Sequence, residues 1–471
     1  ERTGLMAALL FLLSPATLYY AKNANLDMPY VFWLSACFFL LVRILQENRP
    51  HDYVWLGIAA ALAVCTKDQA YAFLAGLPLA MLLADRRRRG GESESAEGQS
   101  PRYRLSWRRL GMGLIAFIVP FVLIHNILFD PAGFVKHVQT IIGPGSEGWR
   151  EFTPGPTGQL RLLLATLLRL MDAWTVAGVA LVVMGFKHVR QAPPRNASLS
   201  GILLPGLVYY VGFIAVIGYV YTRFTLPLLL VLSFVAARGA LALWDAGKES
   251  NAARVAVIVL AGWIGIAGLA LDVTMSRYSR YDAQQWLEEN LTAQTRLYYH
   301  GNMRDMPRFN EPLDAKPLTD PETEASPAEV LRQERVEVLV LSIAPGESGG
   351  VMPWRPSSYV RAALEPLSVG AHAPAQSEGK SFTERLIEGK SGFHKVAVFR
   401  SPVAPLVPEV AESVNRTVLI FATGATRGRA DFSSARSTST TRDTCSAAIS
   451  WRRLTTSASV SSGTATGIRR S

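Results

Sequence analysis

Tyr19-Tyr20-Ala21-Lys22-Asn23-Ala24-Asn25-Leu26-Asp27-Met28-Pro29 is a short polar stretch set between two apolar runs, residues 3–18 and 30–45. An acid, a base, amides and a pair of tyrosines stand where each flank is about to enter a bilayer. Ionisable groups at such a place are costly, so by default they are functional candidates. The competing reading is a solvated connector whose Pro29 starts the next helix and whose lysine anchors at the interface.

Working outward, the chain of 471 residues is 49% hydrophobic and 18% charged, too apolar and too unevenly charged for one soluble domain. Its apolar residues fall into about nine blocks of near-bilayer length, near 3–20, 29–46, 54–66, 70–84, 110–128, 166–186, 201–221, 225–244 and 255–272. The pattern predicts an α-helical polytopic membrane protein over 1–272. The third and fourth blocks meet at Thr66-Lys67-Asp68, as two short helices or as one helix broken at that polar point.

The net charge of +11 comes largely from Arg-rich connectors. Arg86 to Arg89, Arg102, Arg104, Arg108 and Arg109 mark 85–109 as cytoplasmic by the positive-inside rule. The excess therefore sets orientation, and no nucleic-acid partner is expected. Counting from these anchors puts Lys22 to Asp27, Lys67-Asp68, the segment 129–165 and Arg223 on the opposite, extracytoplasmic face. The segment 129–159, with His137, Gly143-Pro144-Gly145 and Trp149, reads as a long loop of functional character. The run 160–170 reads as an interfacial helix. The three cysteines, Cys37, Cys65 and Cys445, make neither a CxxC nor a disulfide framework.

Beyond Asp272 the pattern changes. A helix over 281–290, strands over 296–300, 336–343 and 395–399, and a helix over 328–335 predict a small extracytoplasmic α/β domain, 273–421. Residues 422–471, dominated by Ser, Thr, Arg, Ala and Gly, predict a disordered tail.

The polar residues of the outer face suit a lipid-phosphate substrate. Lys22, Lys67 and Arg223 offer charge-assisted contacts to phosphate oxygens. Asp27 is the best-placed carboxylate for proton transfer. Asp27 and His137 are a candidate pair for a divalent metal ion.

Ser14-Pro15-Ala16-Thr17-Leu18-Tyr19-Tyr20-Ala21-Lys22 through Asp27-Met28-Pro29 resembles the signature of the polytopic C-type-fold glycosyltransferases, the protein O-mannosyltransferase and aminoarabinose-transferase-like family. Ala63-Val64-Cys65-Thr66-Lys67 is similar to that family's Thr-Lys-Gly hairpin, with Asp68 in place of Gly. Arg223-Phe224-Thr225-Leu226-Pro227 is similar to its Arg-Tyr-x-Leu-Pro helix start. The resemblance covers about residues 1–300. It implies an integral membrane enzyme, of the bacterial plasma membrane type, that moves a sugar from a polyprenyl-phosphate donor to a lipid, glycan or protein acceptor outside the cytoplasm, with inversion. It implies donor contacts from Tyr20, Lys22, Lys67 and Arg223, and a catalytic, metal- or donor-associated role for Asp27. The family's acidic pair, in its first outer loop, has no match in an outer loop here. Together with the start at Glu1-Arg2, this leads to the expectation of an N-terminally truncated chain. The competing classes are a lipid-linked-sugar transporter or flippase and a non-catalytic membrane scaffold.

Overall fold

The computed structural model describes residues 1–23, 25–90, 105–142, 150–191, 197–247, 251–301, 303–318, 331, 333–343, 382–387, 389, 391–400 and 416–423. Residues 91–104, the Gly/Pro-rich 143–149, half of the expected helix 328–335, and the tail beyond Thr423 lie outside this set.

The first apolar block divides into α1 (Arg2–Leu12) and α2 (Pro15–Lys22), bent by 63°. Ser14 and Pro15 cause the break. The Ser14 hydroxyl accepts from the Thr17 amide at 3.2 Å, and Pro15 opens the new helix without needing a backbone donor. The break frees the Leu10 carbonyl, and the buried Trp174 indole nitrogen donates to it at 3.0 Å. In a lipid setting an orphaned carbonyl costs several kcal/mol, so this bond is what makes the bend tolerable.

Next come α3 (Asp27–Glu47), α4 (Pro50–Thr66), α5 (Ala70–Gly90), α6 (Trp107–Ile124), α7 (Pro131–Ile142) and α8 (Pro156–Gln191), the last bent at Thr175 (φ 63°). α9 (Ala197–Tyr209) passes through a π-helical turn to Ile217. A 3-10 turn (Thr222–Thr225) leads into α10 (Leu226–Ala246), followed by α11 (Asn251–Ser276) and α12 (Ser279–Asn290). Among the described residues, five helical stretches are long and apolar enough to cross a bilayer, or six if α1 and α2 are one broken span. This is fewer than the nine blocks read from the sequence. α4 has 17 residues, and the block at 201–221 is interrupted by Pro205 and the π-turn, so both fall short of the length criterion.

Glycines bring the helices together. A Cβ on Gly57 of α4 would lie 2.0 Å from the Gly113 carbonyl oxygen of α6, and one on Gly185 of α8 would lie 2.0 Å from the Val235 carbonyl of α10. Lipid gives helices no hydrophobic reason to associate, so close backbone approach supplies the attraction. At one end of α4 the buried Asp52 pairs with Arg43 at 3.3 Å. At its other end lies Thr66-Lys67-Asp68, where α4 stops and α5 begins as a separate helix.

One expectation changes here. The segment 129–159 is not structureless, because α7 occupies much of it. Asp130 Oδ1 accepts from the Gly133 amide at 2.8 Å and starts that helix. The run 160–170 lies in the first arm of α8, before the break at Thr175 (φ 63°, ψ 169°) where two helices meet. After α12 a five-stranded mixed sheet forms in the order β2-β1-β3-β5-β4. Its strands are β1 (Leu297–His300), β2 (Ala315–Pro317), β3 (Val338–Ile343), β4 (Phe393–Phe399) and β5 (Thr417–Thr423), and the short helix α13 (Phe382–Ile387) precedes β4. β1 runs parallel to β2 and β3, while β5 runs antiparallel to β3 and β4. β5 was not read from the sequence and crosses the boundary expected at 421.

Candidate functional site

The α2–α3 loop places Asp27 by a local hydrogen bond. Asn25 Oδ1 accepts from the Asp27 amide at 2.9 Å, so Asn25 and not Asp27 satisfies the start of α3. Asp27 is thereby the first residue of the helix, 2% exposed, with its carboxylate at the positive end of the helix dipole. Lys67, in extended conformation just past α4, donates its Nζ to Asp27 Oδ1. Two motifs forty residues apart are thus joined by a half-buried ion pair.

The third motif joins them. Arg223, in the 3-10 turn before α10, lies 5.3 Å from the ring centroids of both Tyr221 and Phe224. Its Nε is buried and has no hydrogen-bond partner among the described residues. Its charge is within electrostatic reach of Lys67 and Tyr20. Tyr20, almost buried, packs edge-on to Tyr19 at 4.9 Å and feels Asp27 and Arg169 as well. Beneath the pair, Tyr30 and Tyr209 are wholly buried, and the Tyr209 hydroxyl donates to Gln69 Oε1 at 3.2 Å. With Asp27 and Lys67 neutralising each other, Arg223 leaves the cluster with one net positive charge.

Of the residues expected at the site, the structure brings together Tyr20, Asp27, Lys67 and Arg223. Lys22 goes elsewhere and pairs with Asp272 of α11, locking α2 to that helix. His137, on α7, has its Nε2 3.2 Å from Asp68 Oδ1 and not on Asp27. No group of three or more His, Cys, Asp or Glu able to hold a metal ion occurs among the described residues. Asp27 and His137 are not brought together as a donor pair: Asp27 is held by the Lys67 ammonium and His137 by Asp68.

A cavity of about 420 Å³ opens beside the hairpin, lined by Leu26, Lys67, Asp68, His125, Phe134 and His137 among others. Reading the sequence left Asp68 and His125 without a role and missed Gln69 and Tyr209 altogether. Asp68 was visible only as a departure from Thr-Lys-Gly. α7, which brings His137 to it, carries the apolar period Phe134, Val135, Val138, Ile141, Ile142 behind Asp130-Pro131, a helix signal that the neighbouring Gly-Pro-Gly obscured.

Fold and cluster together define an α-helical polytopic membrane protein with a cationic, carboxylate-braced site at one end of its bundle. Residues 1–94, which carry the first two motifs, match the family model described as dolichyl-phosphate-mannose-protein mannosyltransferase. The match supports assignment to the mannosyltransferase-like glycosyltransferases. No curated protein and no solved structure matches the chain.

Proposed function

We propose that the protein is a membrane glycosyltransferase that takes a sugar from a polyprenyl-phosphate donor and transfers it, with inversion, to an acceptor outside the cytoplasm. The observation that carries this reading is the convergence of Asp27, Lys67 and Arg223 from three distant segments into one cluster of net positive charge. A diester phosphate bears one negative charge, and Arg223 offers a fork whose Nε is unspent. Guanidinium forks match phosphate oxygens in pairs. Lys67 supplies the second contact.

In this reading the acceptor oxygen attacks the anomeric carbon while the bond from that carbon to the phosphate oxygen breaks. The polyprenyl phosphate leaves with the electron pair, and the acceptor's hydroxyl proton passes to an oxygen of that departing phosphate. Arg223 and Lys67 stabilise the charge that grows on it. Asp27 is a positioning residue for the Lys67 ammonium, because at 2% exposure it has no open path to an acceptor hydroxyl. No step is routed through a metal ion.

The test is binding of polyprenyl phosphate to the full-length protein in vesicles. Arg223→Gln removes a charge-assisted contact of roughly 1.5–3 kcal/mol, about tenfold or more in affinity. Lys22→Gln, which touches only the Asp272 pair, should leave affinity unchanged. Wild-type affinity in Arg223→Gln would overturn the reading.

A further inference from the structure

We propose that the cavity beside the α4–α5 hairpin receives the transferred sugar, that Asp68 and His137 read its hydroxyl groups, and that the sugar carries no acidic group. The inference rests on the phosphate reading of Lys67 and Arg223 and adds what hangs from that phosphate.

The geometry supplies the argument. Lys67 belongs both to the phosphate cluster and to the cavity wall, so a phosphate held there offers its substituent to the cavity. A volume of about 420 Å³ is at the small end of ligand pockets, suited to one sugar ring rather than a chain of them.

The wall past Lys67 is rich in acceptors. His137 Nε2 donates to Asp68 Oδ1 at 3.2 Å, which leaves the second Asp68 oxygen as an acceptor and His137 Nδ1 as a further polar atom for a hydroxyl. Asp130 adds another carboxylate. His125 stands in the same wall, its ring 4.6 Å from Phe121 and 5.5 Å from Phe134, and its buried Nε2 has no hydrogen-bond partner among the described residues. Hydroxyl groups donate to the two carboxylates and, being both donors and acceptors, pair with either imidazole nitrogen. A uronic acid would bring a carboxylate against two aspartates, a like-charge contact that costs affinity. The apolar part of the wall, Leu26 and Phe134, suits the C–H face of a pyranose.

The experiment measures, on the full-length protein in vesicles, affinity for three probes: polyprenyl phosphate, its neutral hexose diester and its hexuronic acid diester. The wild type should bind the hexose diester at least about tenfold tighter than polyprenyl phosphate, from charge-assisted hydrogen bonds to Asp68. It should bind the hexuronic acid diester no tighter than polyprenyl phosphate. Asp68→Asn, which keeps the hairpin's shape, and His137→Leu should each erase most of the hexose gain and leave the polyprenyl phosphate affinity in place. An unchanged hexose gain in both variants overturns the inference. So does an equal loss for all probes, which would assign Asp68 to the fold, or a preference for the acidic sugar. Failure of the phosphate reading is seen separately, in the polyprenyl phosphate arm of the wild type.

Discussion

Asp27 and Lys67 depend on each other more than either depends on its own helix. The Asp27 side chain is 3% exposed and that of Lys67 is 23% exposed, so the consequences of removing one are unequal. Lys67→Met strands a carboxylate in the interior, a loss on the order of 3–5 kcal/mol. Asp27→Asn leaves an ammonium that can still lean toward water, with a loss of roughly 1.5–3 kcal/mol. The double variant Asp27→Asn/Lys67→Met removes both charges and should cost less than the two singles summed, by thermal melting in detergent. Strict additivity would mean the pair does not couple. The candidate acid and base were legible because polar residues interrupt apolar runs. Their pairing was not, since nothing in either stretch specifies a partner forty residues away. Lys22 shows the reverse error. Beside Asp27 in sequence, it is claimed by Asp272 at the far end of α11, a partner only the folded chain reveals.

Among the elements, α4 and α6 meet where Gly57 faces Gly113, and a side chain on Gly57 has only backbone in front of it. Gly57→Ala therefore forces the two helices apart, which overpacking places at about 1–3 kcal/mol. We expect a lower melting temperature, and weaker polyprenyl phosphate binding because α4 carries Lys67 at its end. A variant that melts like wild type would show that the helices reseat without cost. The long helices were legible from apolar length alone. The elements that went unread share a cause: their own signal is short and their neighbours point elsewhere. α7 stands beside a Gly-Pro-Gly stretch. β5 reads Thr417-Val-Leu-Ile-Phe-Ala-Thr423, a strong strand pattern, but it abuts a polar tail and pairs with β3 across many intervening residues.

At the scale of the molecule, the polar groups separate to the two ends of α4. Asp52 and Arg43 pair at one end, and Lys67 and Asp27 pair at the other. α4 itself is short. Its 17 residues rise roughly 26 Å, against a hydrocarbon core of about 30 Å. The neighbouring α3, with 21 residues, rises roughly 32 Å and has no such deficit. If α4 crosses the bilayer in the proposed enzyme, the shortfall of roughly 4 Å would be met by local thinning at the hairpin, which would bring head groups to the depth of Lys67. On the proposed function, bilayer thickness would then control the reaction by setting how deep the donor's phosphate rides. Vesicles with identical head groups and longer acyl chains should slow transfer, and shorter chains should restore it, because each ångström of mismatch costs a fraction of a kcal/mol. A rate indifferent to acyl length would mean that the donor reaches Lys67 without the leaflet's help.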